Sequence, residues 1–173
     1  RGVVMKSVIV LAMHGSPPND FPKREMAELF DLRARLRRVN EVGRAAMEQR
    51  LADLEAKMRD WPRTAQNDPY HAGSHDLAAR LSRATGCEVI VGFNEFCAPS
   101  LDDALDQAAA LGPEKVVVVT PMMTRGGEHS EVDIPDAVRA AQQRHPEIPI
   151  VYVWPFEVSE VAEFLATQVR RHL

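Results

Sequence analysis

The chain of 173 residues is predicted to form an α/β domain with a doubly wound, parallel, four-stranded sheet. Three observations carry this. Short β-branched apolar runs recur along the chain. Each alternates with a segment of helical periodicity. The runs are apolar throughout rather than at every second residue, as strands covered on both faces are. Apolar residues make up 45% and charged residues 27% of the composition, ordinary for a globular protein with a single core.

The first strand is residues 7–13, SVIVLAM, and ends at the loop HGSPPND, where glycine and two prolines break the pattern. Residues 22–59 read as helix. Leu29, Leu32, Leu36, Val39, Gly43, Ala46, Leu51, Leu54 and Met58 fall three to five apart, a stripe on one long helix or on a helical hairpin broken at Asn40 or Gly43. The turn formers of WPRTAQNDPYHAGS follow as a loop. Ser74 is placed as the cap of the next helix, which Gly86 ends after Thr85. The second strand is residues 88–96. Residues 99–111 form a helix capped by Ser100 and stopped by Gly112. The third strand, residues 115–120, leads through PMMTRGGEHSEVD to a helix at 135–144, with Pro135 in its first turn. The fourth strand is 148–154 and the closing amphipathic helix 158–172. One domain over residues 1–173 is expected, with residues 21–70 a helical insertion after the first strand.

The formal net charge of −4 argues against a general nucleic-acid binder. Cys87 and Cys97 are too few for a disulfide framework, and no metal-type CxxC is present; a reducing, cytoplasmic setting is expected. No apolar run reaches membrane-spanning length, and no membrane partner is expected.

The candidate chemistry lies in loops that follow strands. In a parallel sheet those loops open at the carboxyl edge, where ligands bind. His14 follows the first strand directly, and its HGS loop leaves backbone N–H groups free for an anion. His129 lies in a loop that gathers Arg125, Gly126, Gly127 and Glu128. A merely structural turn has no need of three such side chains around two glycines. Glu95 ends the second strand at the same edge. Two imidazoles and a carboxylate suit a divalent first-row ion, and an imidazole also accepts protons near neutral pH. His71 and His75, four apart, are expected to miss a shared helix face because the cap is placed at Ser74. His145 and His172 at helix ends are expected to be solvated. The arginines at 33, 35, 37, 38 and 44 read as a solvated helix face, or as a surface for a carboxylate-rich ligand.

The ordered set His14-Gly15-Ser16, then Glu95 with Pro99-Ser100-Leu101, then Gly127-Glu128-His129 with Asp133-Ile134-Pro135 resembles the class II tetrapyrrole chelatases, closest to the small CbiX-type sirohydrochlorin chelatases. The resemblance covers residues 6–16 and 73–173. It implies a chelatase-like (flavodoxin-like) sheet and insertion of a divalent metal, cobalt foremost with iron or nickel as alternatives, into sirohydrochlorin or a related tetrapyrrole in cobalamin or sirohaem biosynthesis. It implies that His14 is proton acceptor and metal ligand and His129 a metal ligand, with Glu95 assisting. Ser16, Thr124, Arg125, Gly126, Gly127 and Glu128 would contact the macrocycle. The metal is substrate, and no prosthetic group is implied. A homodimer is expected, because related enzymes join two such half-units, and the insertion is expected to supply part of the contact. The family often carries a second carboxylate directly before the proline; Ala98 stands there. A non-catalytic carrier of metal or tetrapyrrole is the competing reading. A nucleotide-binding domain is weaker, since HGSPPND has neither dinucleotide nor Walker glycines.

Overall fold

The computed structural model describes residues 7–38 and 43–173. Four strands, β1 (Val8–Met13), β2 (Glu88–Phe93), β3 (Val116–Val119) and β4 (Ile150–Tyr152), form one sheet in the order β2-β1-β3-β4. Every pairing is parallel. The strand ends fall inside the predicted runs. β2 stops at Phe93 rather than 96 because the chain turns sharply there: the N–H groups of Asn94 and Glu95 donate to the carbonyls of Met13 and His14, and Phe96 sits at φ 62°.

The period of two along β1 divides the core. Val8, Val10 and Ala12 pack with α4 (Leu101–Ala110) and α5 (Ile134–Arg144), through Leu105, Ala108, Ile134 and Ala141. Leu11 and Met13 face the other way, toward α1 (Lys23–Leu36), α2 (Arg44–Arg59) and α3 (Pro69–Thr85). Helices thus cover both faces, as the continuous apolar strands require. The closing helix, α6 (Val158–Arg170), has no buried residue.

The segment after β1 is a hairpin, α1 and α2. Gly43, at φ 84°, precedes Arg44 at the start of α2; Asn40 and Val39 lie outside the described residues. Leu29, Leu32, Leu54 and Met58 are buried against the β1/β2 side of the sheet. The expectation that this stripe supplies a contact between copies is therefore corrected at these residues: their partner is the chain's own sheet.

The start of α3 also differs from the sequence expectation. The helix begins at Pro69, not after Ser74, because Asp68 caps it: its carboxylate accepts from the N–H of His71, and proline occupies the first turn at no cost in hydrogen bonds. Ser74 is buried within the helix and donates to the carbonyl of Tyr70 at 2.8 Å. His71 and His75 consequently do share a face.

Candidate functional site

The order β2-β1-β3-β4 places a topological switch between β1 and β3. After β1 the chain turns to the α1–α3 face, and after β3 to the α5 face. The two loops part there and leave a crevice at the carboxyl edge. His14 stands on one loop and His129 on the other. Their rings meet edge to face with centroids 4.4 Å apart.

Glu95 joins them because the β1 and β2 loops are locked together. Gly15 lies at φ 97°, and a Cβ there would stand 1.8 Å from the carbonyl oxygen of Glu95. Only glycine permits that approach. As a result, one ligand atom each from His14, Glu95 and His129 lies within 4.8 Å of the others. Among the described residues this is the one group of three or more His, Cys, Asp or Glu side chains so arranged. All three are partly exposed, so an ion and a large ligand can reach them.

Hydrogen bonds prepare the two imidazoles alike. The Nδ1 of His14 lies 2.9 Å from the carbonyl oxygen of Gly15, and the Nδ1 of His129 lies 2.6 Å from a carboxylate oxygen of Asp133. A carbonyl only accepts, so neutral His14 carries its proton on Nδ1 and keeps the Nε2 lone pair. The Asp133 carboxylate selects the same tautomer at His129 and fixes the orientation of its ring. Asp133 reaches His129 because residues His129–Asp133 form a π-helical turn that runs directly into α5. Pro135 lies in the first turn of α5, as the sequence predicts. Tyr152 holds this turn from β4, its hydroxyl donating to the Ser130 carbonyl at 3.1 Å. Burial, and then the charge of Glu131, push the Tyr152 phenol up to about 12.

The other expected contact residues divide. Residues 123–128, including Thr124, Arg125, Gly126, Gly127 and Glu128, are exposed beside the cluster. The Arg125 guanidinium is paired with Glu131 at 2.6 Å, and that carboxylate also accepts from the N–H of Gly126. This pairing, led by the Arg125 hydrogen bond, holds the Glu131 carboxyl below its usual range. Arg125 must exchange this partner to bind a ligand carboxylate. A pocket of about 240 Å³ opens between this loop and α6, lined by Met123, Thr124, Arg125, Phe156, Val158 and Val161. Ser16 is half-buried, and its carbonyl serves the scaffold rather than the crevice. Ala98 is exposed, on the rim of a separate concavity with Pro99 and Asp103.

Two arginines take positions that the sequence does not foretell. Arg33 is not part of a solvated face: it donates to Glu55 at 2.8 Å and to Glu95 at 3.3 Å, and lies over the ring of Phe96. The hairpin therefore sets the charge environment of Glu95. Arg63 is buried against Asp68, and also donates to the carbonyls of Ser16, Met58 and Phe96 at 2.7, 2.8 and 2.6 Å. It joins the HGS loop, the end of α2 and the Glu95 turn. The buried Cys97 thiol completes this hub, donating to the Ser16 carbonyl, and burial pushes its pKa up. Asp68 lies in the same segment, WPRTAQND, but nothing there marks the pair as buried, since the Ser16 and Phe96 carbonyls that complete the site come from distant parts of the chain. His145 is likewise not simply solvated, lying 2.7 Å from Asp106.

A doubly wound sheet with a His/Glu/His cluster at its switch point belongs with the chelatase-like α/β proteins. A sequence model of the CbiX family matches residues 63–172, and the chain belongs to that family. It is 35% identical over 79 residues to a sirohydrochlorin cobaltochelatase of Priestia megaterium, covering 45% of this chain and 26% of the relative. It is 43% identical over 47 residues to a sirohydrochlorin cobaltochelatase of Methanothermobacter thermautotrophicus, covering 27% of this chain and 32% of the relative. A sirohydrochlorin ferrochelatase of Priestia megaterium is 26% identical over 70 residues, covering 40% of this chain and 26% of the relative. The matched segments thus span between a quarter and a third of these curated relatives. The crystal structure of a cobalamin-biosynthesis CbiX protein from Marinobacter aquaeolei VT8 superposes with a TM-score of 0.55 at 16% identity, over 96% of both chains, and shares the fold.

Proposed function

We propose that this protein is a cytoplasmic chelatase that inserts a divalent first-row metal ion into sirohydrochlorin or a closely related carboxylated tetrapyrrole, in cobalamin or sirohaem formation. The convergence of His14, Glu95 and His129 within 4.8 Å at the switch point carries this reading. Cobalt is the first choice of metal: the two relatives above 30% identity are named cobaltochelatases, and the ferrochelatase is the more distant match.

Insertion must place a dehydrated ion against the macrocycle and remove two pyrrole N–H protons. The ion enters as substrate, on the Nε2 lone pairs of His14 and His129 and the Glu95 carboxylate. That donor set accepts Co²⁺, Fe²⁺ and Ni²⁺. As the pyrrole nitrogens replace the imidazoles on the ion, His14 takes one of the two protons at Nε2, the position its Nδ1 bond keeps open. Glu95 holds charge balance beside Arg33 and relays the second proton toward solvent. The exposed loop of Thr124, Arg125, Gly126, Gly127 and Glu128, with Ser16 opposite, forms the contact with the macrocycle and its peripheral carboxylates.

We also propose a homodimer. α6 leaves Phe164, Leu165 and Val169 more than half exposed, an apolar face that a second copy would cover.

The direct test is anaerobic absorbance of sirohydrochlorin with Co²⁺, Fe²⁺ and Ni²⁺ in turn. The protein accelerates metallation, while His14→Ala and His129→Ala each reduce the rate by about 10²-fold or more, as loss of a proton acceptor and ligand does, with the melting temperature unchanged. Near-normal rates in both variants would end the proposal. Tight macrocycle binding without acceleration would make the protein a carrier instead.

A further inference from the structure

We infer that His71 and His75 form a second site for a borderline divalent cation (Co²⁺, Ni²⁺, Zn²⁺ or Cu²⁺) on the first turns of α3, outside the His14/Glu95/His129 cluster. The two Nε2 atoms lie 3.2 Å apart. Metal–imidazole bonds of about 2.0–2.1 Å put cis nitrogens about 2.9 Å apart in an octahedral shell and about 3.4 Å apart in a tetrahedral one. The observed separation falls between these values, so one ion can bridge both nitrogens with little movement of either ring.

Three further features suit the pair to a metal. The His71 ring stacks on Phe93, with centroids 5.4 Å apart and planes 16° off parallel, which fixes one donor. His71 is partly buried, so the pair is approached from the His75 side alone. His75 is exposed and lines a concavity of about 500 Å³ shared with Val89, Val91 and Pro99, with ample room for the waters that complete the shell. In the metal-free pair, one Nε2–H bonds to the other nitrogen. Moving that proton to Nδ1 of its own ring frees both lone pairs, so an ion enters without net proton release.

The site sits at the carboxyl edge of the sheet, because Phe93 ends β2 and Tyr70, next to His71, accepts the N–H of His14 at 3.2 Å. Carboxylates near it are committed elsewhere: Asp68 to Arg63 and Asp76 to Arg80. The ion therefore has two protein ligands and open positions, the coordination of a site that exchanges its metal readily.

The inference stands apart from the chelatase reading, and its test uses metal binding alone. Co²⁺ is titrated into tag-free protein, followed by visible absorption and by bound metal per chain after equilibrium dialysis. In a His14→Ala/His129→Ala background one ion still binds per chain, and adding His71→Ala/His75→Ala abolishes it. Because His71 packs on Phe93, the exposed His75→Gln is tested separately; loss of one of two linked donors weakens binding by about 10²-fold with an unchanged melting temperature. Stoichiometry and affinity unaffected by the His71/His75 changes would overturn the inference. Failure of the His14 cluster to bind, with the α3 ion retained, would count against the chelatase reading only.

Discussion

One face of the sheet is finished in two different ways. Over β1 and β2, Leu11, Met13, Val91 and Phe93 lie beneath the α1–α2 hairpin and α3, and the hairpin's Leu29 and Met58 are fully buried. At the β4 side, Val151 stands in register with Val117, and through it with Ile9, on that same face, yet is 46% exposed. α6, the helix that follows, leaves Phe164 51% and Leu165 54% exposed. Both helical additions carry apolar residues at helical spacing, more sharply segregated to one face in α6 than in α2. The pattern states that a face will be covered and leaves open by what. The hairpin has a partner because a polar hub, Arg63 with Asp68, ties the end of α2 to the HGS loop and the Glu95 turn. Among the described residues, the side-chain hydrogen bonds and ion pairs of α6 stay within its own segment.

That contrast sets a ranking of effects. Asp68→Ala strands the buried Arg63 charge and removes the α3 cap, and is expected to cost about 3–5 kcal/mol, measured by urea denaturation. A loss below about 1 kcal/mol would show that the hub does not hold the hairpin. Leu54→Ala, in the covered half, follows at about 2–5 kcal/mol. Phe164→Ala, in the open half, should change the stability of the isolated chain by no more than about 0.5 kcal/mol. Phe164→Glu should instead shift the protein toward monomer in sedimentation. A monomeric parent protein at micromolar concentration would remove the second copy as the cover for α6.

A separate effect concerns pH at the β4 end. The folded-state pKa of Tyr152 is raised, to about 12, so the fold favours the protonated phenol. Its contribution is complete below the unfolded pKa of about 10 and is lost as pH rises through the folded value, since the unfolded chain releases the proton first. Stability measured across that window should fall more steeply for the parent protein than for Tyr152→Phe. Equal slopes would mean that the phenol is no better buried in the fold than in the unfolded chain.

The strands, most helices and the three residues of the central cluster were legible because each depends on local pattern: β-branched runs, glycine stops, and histidines placed directly after strands. The α3 start was misread because two capping signals competed, Ser74 and Asp68-Pro69, and the earlier one prevails when proline fills the first turn. That one cap decides whether His71 and His75 share a face.

Sequence periodicity is enough to establish a parallel α/β sheet with His14, Glu95 and His129 at its carboxyl edge, since strand period and loop placement are properties of neighbouring residues. Tertiary structure alone decides that Arg33 reaches Glu95, that Arg63 is buried at the meeting of three loops, and that the hairpin stripe is covered while the α6 stripe is not. Each of these depends on groups far apart in the chain, brought together by how whole elements pack, and no local pattern encodes a partner dozens of residues away.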